Sequence, residues 1–381
     1  MSYGKIYETT WWGNPIDGGW GDIYFDLTGT AETAFIFNVK TDNTGTSNDD
    51  QFTLPLISSF NGVTAEVDWG DGSTDTITAY NQPEVTHTYA SAGTYTIKIS
   101  NALRSFRFQG VGDRLKLLNI SNWGILEINV SETFNGCANM TCTATDAPTI
   151  STTTLERTFT DCSSFNGAIG NWDVSSVTSM KNMFHNAIVF NQPLNSWDVS
   201  SVTNMENILR AADAFNQPLN SWDVSSVITM NFAFAGADVF NGDIGNWNVS
   251  NVTSMSDLFR NSDSFNQPLN NWDVSNVTNM NGMFRDNDIF DQDLSSWNIV
   301  SVAFATRLML NAGGFSVANY DALLIGWEAT LQAAFPSGTG YTLTPAWNFG
   351  GSQYTSGGAA ANARASLVSN FNWTIIDGGT A

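Results

Sequence analysis

The sequence predicts a mainly β protein with short helices: a small β-sandwich, then a solenoid of regular coils, then a helical C-terminal cap. Three observations predict it. Six tryptophans stand 25 residues apart (Trp172, Trp197, Trp222, Trp247, Trp272 and Trp297), and Phe165, Phe190, Phe215, Phe240, Phe265 and Phe290 keep the same step. A fixed period of this length marks a solenoid, in which each repeat is one coil and stacking buries the core. Ahead of the repeats, short alternating runs separated by turn residues read as strands. Behind them, the apolar spacing becomes that of a helix.

The 381 residues leave room for two or three domains. Charged residues make up 13%, about half the usual share, so the surface must be built largely from Asn, Ser, Thr and Gly. The formal charge is −22, which argues against nucleic acid and against an anionic membrane surface. Solubility explains that charge; hard cations, calcium above all, are the sharper reading. No run of 18 apolar residues predicts a membrane span. The first residues lack the basic-then-apolar order of a secretory leader. Cys137, Cys142 and Cys162 are odd in number and clustered, which predicts buried apolar positions instead of a disulfide framework.

Residues 1–27 are dense in aromatics, including Tyr7, Trp11, Trp12, Trp20 and Tyr24. So short a segment packs either on its own neighbour or, as a docking segment, on another protein, where aromatics are favoured anchors. Residues 28–101 hold the strand-like runs AETAFIFNVKT, FTLPLI, GVTAEVDWG, DTITAY, VTHTYA and GTYTIKIS. Residues 102–158 read as degenerate coils that cap the open end of the stack. Residues 159–310 carry the regular repeat, with consensus FNQPLNSWDVSSVTNM. In it, WDV and the following S-x-V-T predict a short strand and a bend. The Met180, Met183 and Phe184 stretch predicts a helical or 3₁₀ turn. Residues 311–381 form an α+β cap: Tyr320, Leu323, Leu324 and Trp327 take helical spacing, AAANARASLVSN is a second helix, and NWTIIDG is a strand.

Candidate sites follow from the same pattern. The tryptophan row is expected in the core, with a sugar-stacking platform as the alternative. The row Asn166, Asn191, Asn216, Asn241 and Asn266 predicts a hydrogen-bond ladder. Asp173, Asp198, Asp223 and Asp273 would lie in line, so they either cap backbone N–H groups or meet a cation. Asp286, Asp288, Asp291 and Asp293 are the densest acidic stretch and the candidate calcium ligands, although they do not fit an EF-hand loop. His87 and His185 sit in separate modules, and no nucleophile, zinc or phosphate-loop motif accompanies them. The expectation is therefore a non-enzyme without an organic cofactor. A carboxylate pair for glycoside hydrolysis is the lesser alternative.

Three resemblances add to this reading. VDWGDGSTDT and HTYASAGTYTIKIS, through Trp69, Gly70, Asp71, Gly72, His87, Tyr89, Gly93 and Tyr95, resemble the polycystic-kidney-disease (PKD) type of immunoglobulin-like domain. The repeats over about residues 110–310 resemble the BspA-like leucine-rich repeats of bacterial surface proteins. That resemblance implies a leucine-rich-repeat-type solenoid, adhesion and surface display, with no functional residues to transfer. KIYETTWWG…GWGDIYFDL is similar to N-terminal stretches by which some phage appendages attach. The expected role is thus a virion-displayed appendage or decoration protein. It would dock on other virion proteins through residues 1–27 and meet a host glycan or protein through the solenoid, as a monomer or a homo-oligomer. An extracellular or cell-surface bacterial adhesin is the alternative, and a polysaccharide-degrading enzyme the lesser one. Without a leader the sequence fits three origins: a mature form, a cytosolic protein, or a virion released by lysis.

Overall fold

The computed structural model describes residues 33–336, 338, 341 and 346–381. The docking candidates Tyr7, Trp11, Trp12, Trp20 and Tyr24 lie outside these residues. Among the described residues the fold is mainly β with two helices.

Six strands arise where alternation predicts them: β1 (Phe35–Lys40), β2 (Gln51–Thr53), β3 (Ala65–Asp68), β4 (Thr74–Ile77), β5 (Thr86–Thr88) and β6 (Thr94–Asn101). Further strands follow in β7 (Leu103–Arg104), β8 (Leu117–Asn122), β9 (Leu126–Ile128), β10 (Thr141–Cys142) and β11 (Thr149–Ile150). The main sheet runs β10-β8-β1-β6-β3-β4. β1 therefore pairs with β6 on one side and with β8 on the other, both antiparallel. This pairing crosses the expected boundary at 101/102, so the first coils are built onto the N-terminal sheet. β2 and β5 form their own pair, and the Phe52 ring packs 6.0 Å from Phe37 of β1. At the β3–β4 turn Gly70 has φ +81, and any Cβ there would run into the Thr96 carbonyl.

Stacking begins early. β7, β9 and β11 pair in parallel, each one coil after the last. From Thr154 onward the coils touch through single bridges in 25-residue steps: Thr154, Ser179, Asn204, Thr229, Ser254, Asn279 and Phe304. The bridge falls after S-x-V-T; the WDV segment predicted as a strand is irregular. The Met-x-x-Met-Phe stretch is likewise not helical. Residues 156–161 and their equivalents form consecutive turns. Alternate N–H groups bond within the turn (Thr158 to Leu155 O, 3.2 Å) or to the next coil (Arg157 to Lys181 O, 3.0 Å; Phe159 to Met183 O, 2.9 Å). Two residues per turn hold left-handed backbone, as Asn182 (φ 56) and Asn186 (φ 57) do. Asn, Asp and Gly recur there because they tolerate it best.

The interior is a pair of ring ladders. Successive rings from Phe165 to Phe290 lie 5.9–6.1 Å apart. A second row, including Phe159, Phe184, Phe234, Phe259 and Phe284, stacks against the first at about the same height in each coil, for example Phe259 on Phe265 at 3.8 Å. Helices α1 (Val317–Ala334) and α2 (Ala359–Phe371), with β12 (Ala346–Asn348) and β13 (Thr374–Ile376), close the stack. Met309 N–H bonds Asn348 O and Phe349 N–H bonds Ile376 O, which continues the coil ladder into the cap. Ser316 caps α1 by accepting from Asn319 N–H. Tyr320, Leu323, Leu324, Trp327 and Leu331 of α1 are buried.

Candidate recognition face on the coil turns

Each tryptophan of the row is 4% exposed or less. Trp197, Trp222, Trp247, Trp272 and Trp297 each donate Nε1–H to a carbonyl one coil back, at 2.9–3.0 Å. Trp327 of α1 continues this, donating to Leu294 O at 2.9 Å. These buried indoles present no face on which a sugar could stack. The asparagine row forms a ladder at the surface: Asn191 N–H to Asn166 Oδ1 at 2.9 Å, and so on to Asp291 N–H on Asn266 Oδ1.

The aspartate row caps its own turns. Oδ1 of Asp173, Asp198, Asp223 and Asp273 accepts from the N–H of the serine two residues on, at 3.0–3.1 Å. Hydrogen bonds from that serine hold each carboxyl below its ordinary pKa. Asn248 makes the same bond, so the position asks for an acceptor and not for a charge.

The four calcium candidates do not converge. Asp286 meets Arg285 at 3.0 Å and accepts from Asn311. Asp291 accepts from Ser316 and Asn319, and Asp293 accepts from Ser295 N–H. Asp288 is exposed. Among the described residues no three His, Cys, Asp or Glu side chains are grouped to hold a metal ion. His87 stacks on Trp69 and meets Asp71 Oδ2 at 2.9 Å. Burial pushes the Asp71 carboxyl up, but bonds from Ser73 and His87 outweigh it and bring the pKa to about 2. His185 is half-buried, and burial together with Arg210 lowers its pKa. All three cysteines are free; Cys137 and Cys162 are buried, and burial raises both thiols.

What sequence reading missed is how charge is sorted around each coil. Six lysines and arginines occur between residues 118 and 363: Arg157, Lys181, Arg210, Arg260, Arg285 and Arg307. Each falls in a six-residue turn segment (156–161, 181–186, 206–211, 256–261, 281–286 or 306–311). The aspartate row at 173, and the exposed row Asp213, Asp238, Asp263 and Asp288, lie outside the turns. The turns thus make one long face of mixed charge, flanked by purely acidic rows. Counting charge by repeat position would have found it.

Residues 128–245 and 229–323 match the family described as Mycoplasma protein of unknown function, DUF285. Together the two matches span just over half of the chain. The chain belongs to this family. The matched region runs from the early coils into α1, so the family's signature is the stacked coil itself. No curated protein and no solved structure matches the chain.

Proposed function

We propose that this chain is a non-enzymatic recognition and adhesion protein, displayed on a surface, that meets a host-cell glycan or protein through the turn face of its coils. The carrying observation is the confinement of every lysine and arginine between residues 118 and 363 to that one face. In this reading residues 102–310 are a leucine-rich-repeat-type solenoid of the BspA-like kind, and residues 28–101 are a PKD-like spacer. The 25-residue bridge ladder supports the first, and the Trp69–Asp71–His87 turn supports the second. The mechanism is multivalent contact, in which many weak copies raise avidity.

The setting we propose is a virion, with residues 1–27 docking on other virion proteins. Its support is the aromatic density of that segment. A bacterial cell surface is the second reading, favoured by the match to a family described from Mycoplasma. Mass spectrometry of gradient-purified phage particles against host envelope fractions tests the setting. Stoichiometric peptides in particles are expected, and peptides confined to the envelope would overturn the virion in favour of the cell surface.

A further inference from the structure

We infer that the turn face carries a notch, at Arg210, Gly236 and Arg260, that binds the carboxylate of an acidic sugar. The sugar rests on the recognition reading above; the anion rests on geometry alone. Three of the six bases of the face are spoken for. Arg157 meets Glu132 at 2.9 Å, Lys181 meets Glu206 at 3.0 Å and Arg285 meets Asp286 at 3.0 Å. Arg210 and Arg260 differ. Arg210 lies over the Phe232 ring, 5.3 Å from its centroid, and donates to Asn207 Oδ1 at 3.4 Å, but among the described residues no carboxylate pairs with it. Arg260 comes only within 4.0 Å of Asp286, which Arg285 already holds.

Between these two arginines the chain places Ala235 and Gly236. A notch opens there, lined by Arg210, Ala211, Ala235, Gly236, Arg260 and Asn261. The arginines stand two coils apart, roughly 10 Å in backbone spacing. A carboxylate seated between them can accept from both planar guanidinium forks, the geometry arginine serves best. The Asn261 amide adds partners for a hydroxyl. Phe232 supports the site at a cost. It holds left-handed backbone (φ 56) in a row that otherwise carries Arg157, Asn182, Asn207, Asp257 and Gly282. A bulky residue there costs about 1 kcal/mol, and its ring is what carries the Arg210 guanidinium.

The rest of the molecule restricts the ligand. Asp213, Asp238 and Asp263 flank the turns, and the whole chain carries −22. A densely charged polyanion is repelled by the acidic rows that flank the notch. A uronic-acid unit in an otherwise neutral polysaccharide is not.

The test is a titration of the full chain with glucuronate at fixed ionic strength, read from the side-chain Nε–Hε signals of its arginines. Glucose, acetate and heparin serve as comparisons. Saturable shifts of Arg210 and Arg260 are expected with glucuronate, weaker ones with acetate and none with glucose. Arg210→Gln or Arg260→Gln should weaken binding about tenfold. Gly236→Asp should abolish it while keeping the fold. A Cβ at position 236 meets nothing closer than 3.7 Å, and Asp286 holds the same backbone conformation. Unmoved arginine signals would overturn the notch. Acetate matching glucuronate would overturn the sugar, and tighter binding of heparin would overturn the charge argument. Retention of wild type and Gly236→Asp alike on host envelope would sink the notch and spare the recognition reading. Glucuronate binding without any envelope retention would do the reverse.

Discussion

Single residues show how the stack distributes its costs. Trp222 Nε1–H reaches Leu194 O at 2.9 Å, whereas Trp172 Nε1 finds no acceptor among the described residues. Both indoles are buried to the same degree. Trp222→Phe should therefore cost about 1 kcal/mol more than Trp172→Phe, because only the first gives up a hydrogen bond, while Leu194 O keeps its bond from Trp197 N–H. Urea denaturation of the two variants measures the difference, and equal midpoints would refute the role given to the ladder. Asp238 shows a cost of the opposite kind. Burial, together with Asp213 and Asp263, raises its pKa. A carboxyl with a raised folded pKa favours the fold when protonated, and that stability is lost as pH rises through the folded value. Asp238→Asn should accordingly raise Tm at pH 7 and leave it unchanged near pH 3. Thermal melts at the two pH values check the sign.

Elements are joined by side chains that span more than one coil. Glu132 accepts from Arg107 at 2.6 Å and from Arg157 at 2.9 Å, one partner 25 residues on either side. Burial raises this carboxyl, but the two arginines outweigh it and hold the pKa below the ordinary value. Stability from a depressed carboxyl is present above the unfolded pKa and is lost as pH falls through the folded one. Glu132→Gln should cost about 2 kcal/mol at pH 7, toward the low end for a part-buried pair, and the difference should close below pH 4. A variant as stable as wild type at pH 7 would mean that the backbone ladder alone joins these coils. Lys116 clamps an earlier junction: its buried ammonium donates to Ser47 O, Asn48 O and Gln51 O, and so ties the loop before β2 to the first coil.

At the scale of the whole molecule, the legible parts are those governed by local periodicity. The strands of residues 35–101 followed from alternation, the buried rings from the 25-residue step, and α1 from Tyr320, Leu323, Leu324 and Trp327. The pairing of β1 with β8 was not legible, because alternation says which face is buried and not which strand lies alongside. The Met180–Phe184 stretch reads as a helical or 3₁₀ turn because its apolar spacing suits those as well as the consecutive turns it forms. The left-handed residues Asn182, Asn207, Asp257 and Gly282 were the signal that could have separated them. The candidate site was illegible for another reason: a basic residue gains meaning only from its position within the coil, as Arg210 and Arg260 do. The acids, by contrast, were read in sequence and proved to be locally engaged. Because Asp198, Asp223 and Asp273 each accept from a serine, millimolar calcium should leave Tm unchanged, and a calcium-dependent rise would restore a cation to the row. The central claim is that recognition lies on the turn face. The most direct measurement is retention on host envelope of wild type, of a turn-face variant (Lys181→Ser, Glu206→Ser, Arg210→Ser and Arg260→Ser together) and of a flank variant (Asp198→Asn, Asp223→Asn and Asp273→Asn together). Loss of retention by the turn-face variant alone is the predicted result. Retention of that variant at wild-type level would contradict the account.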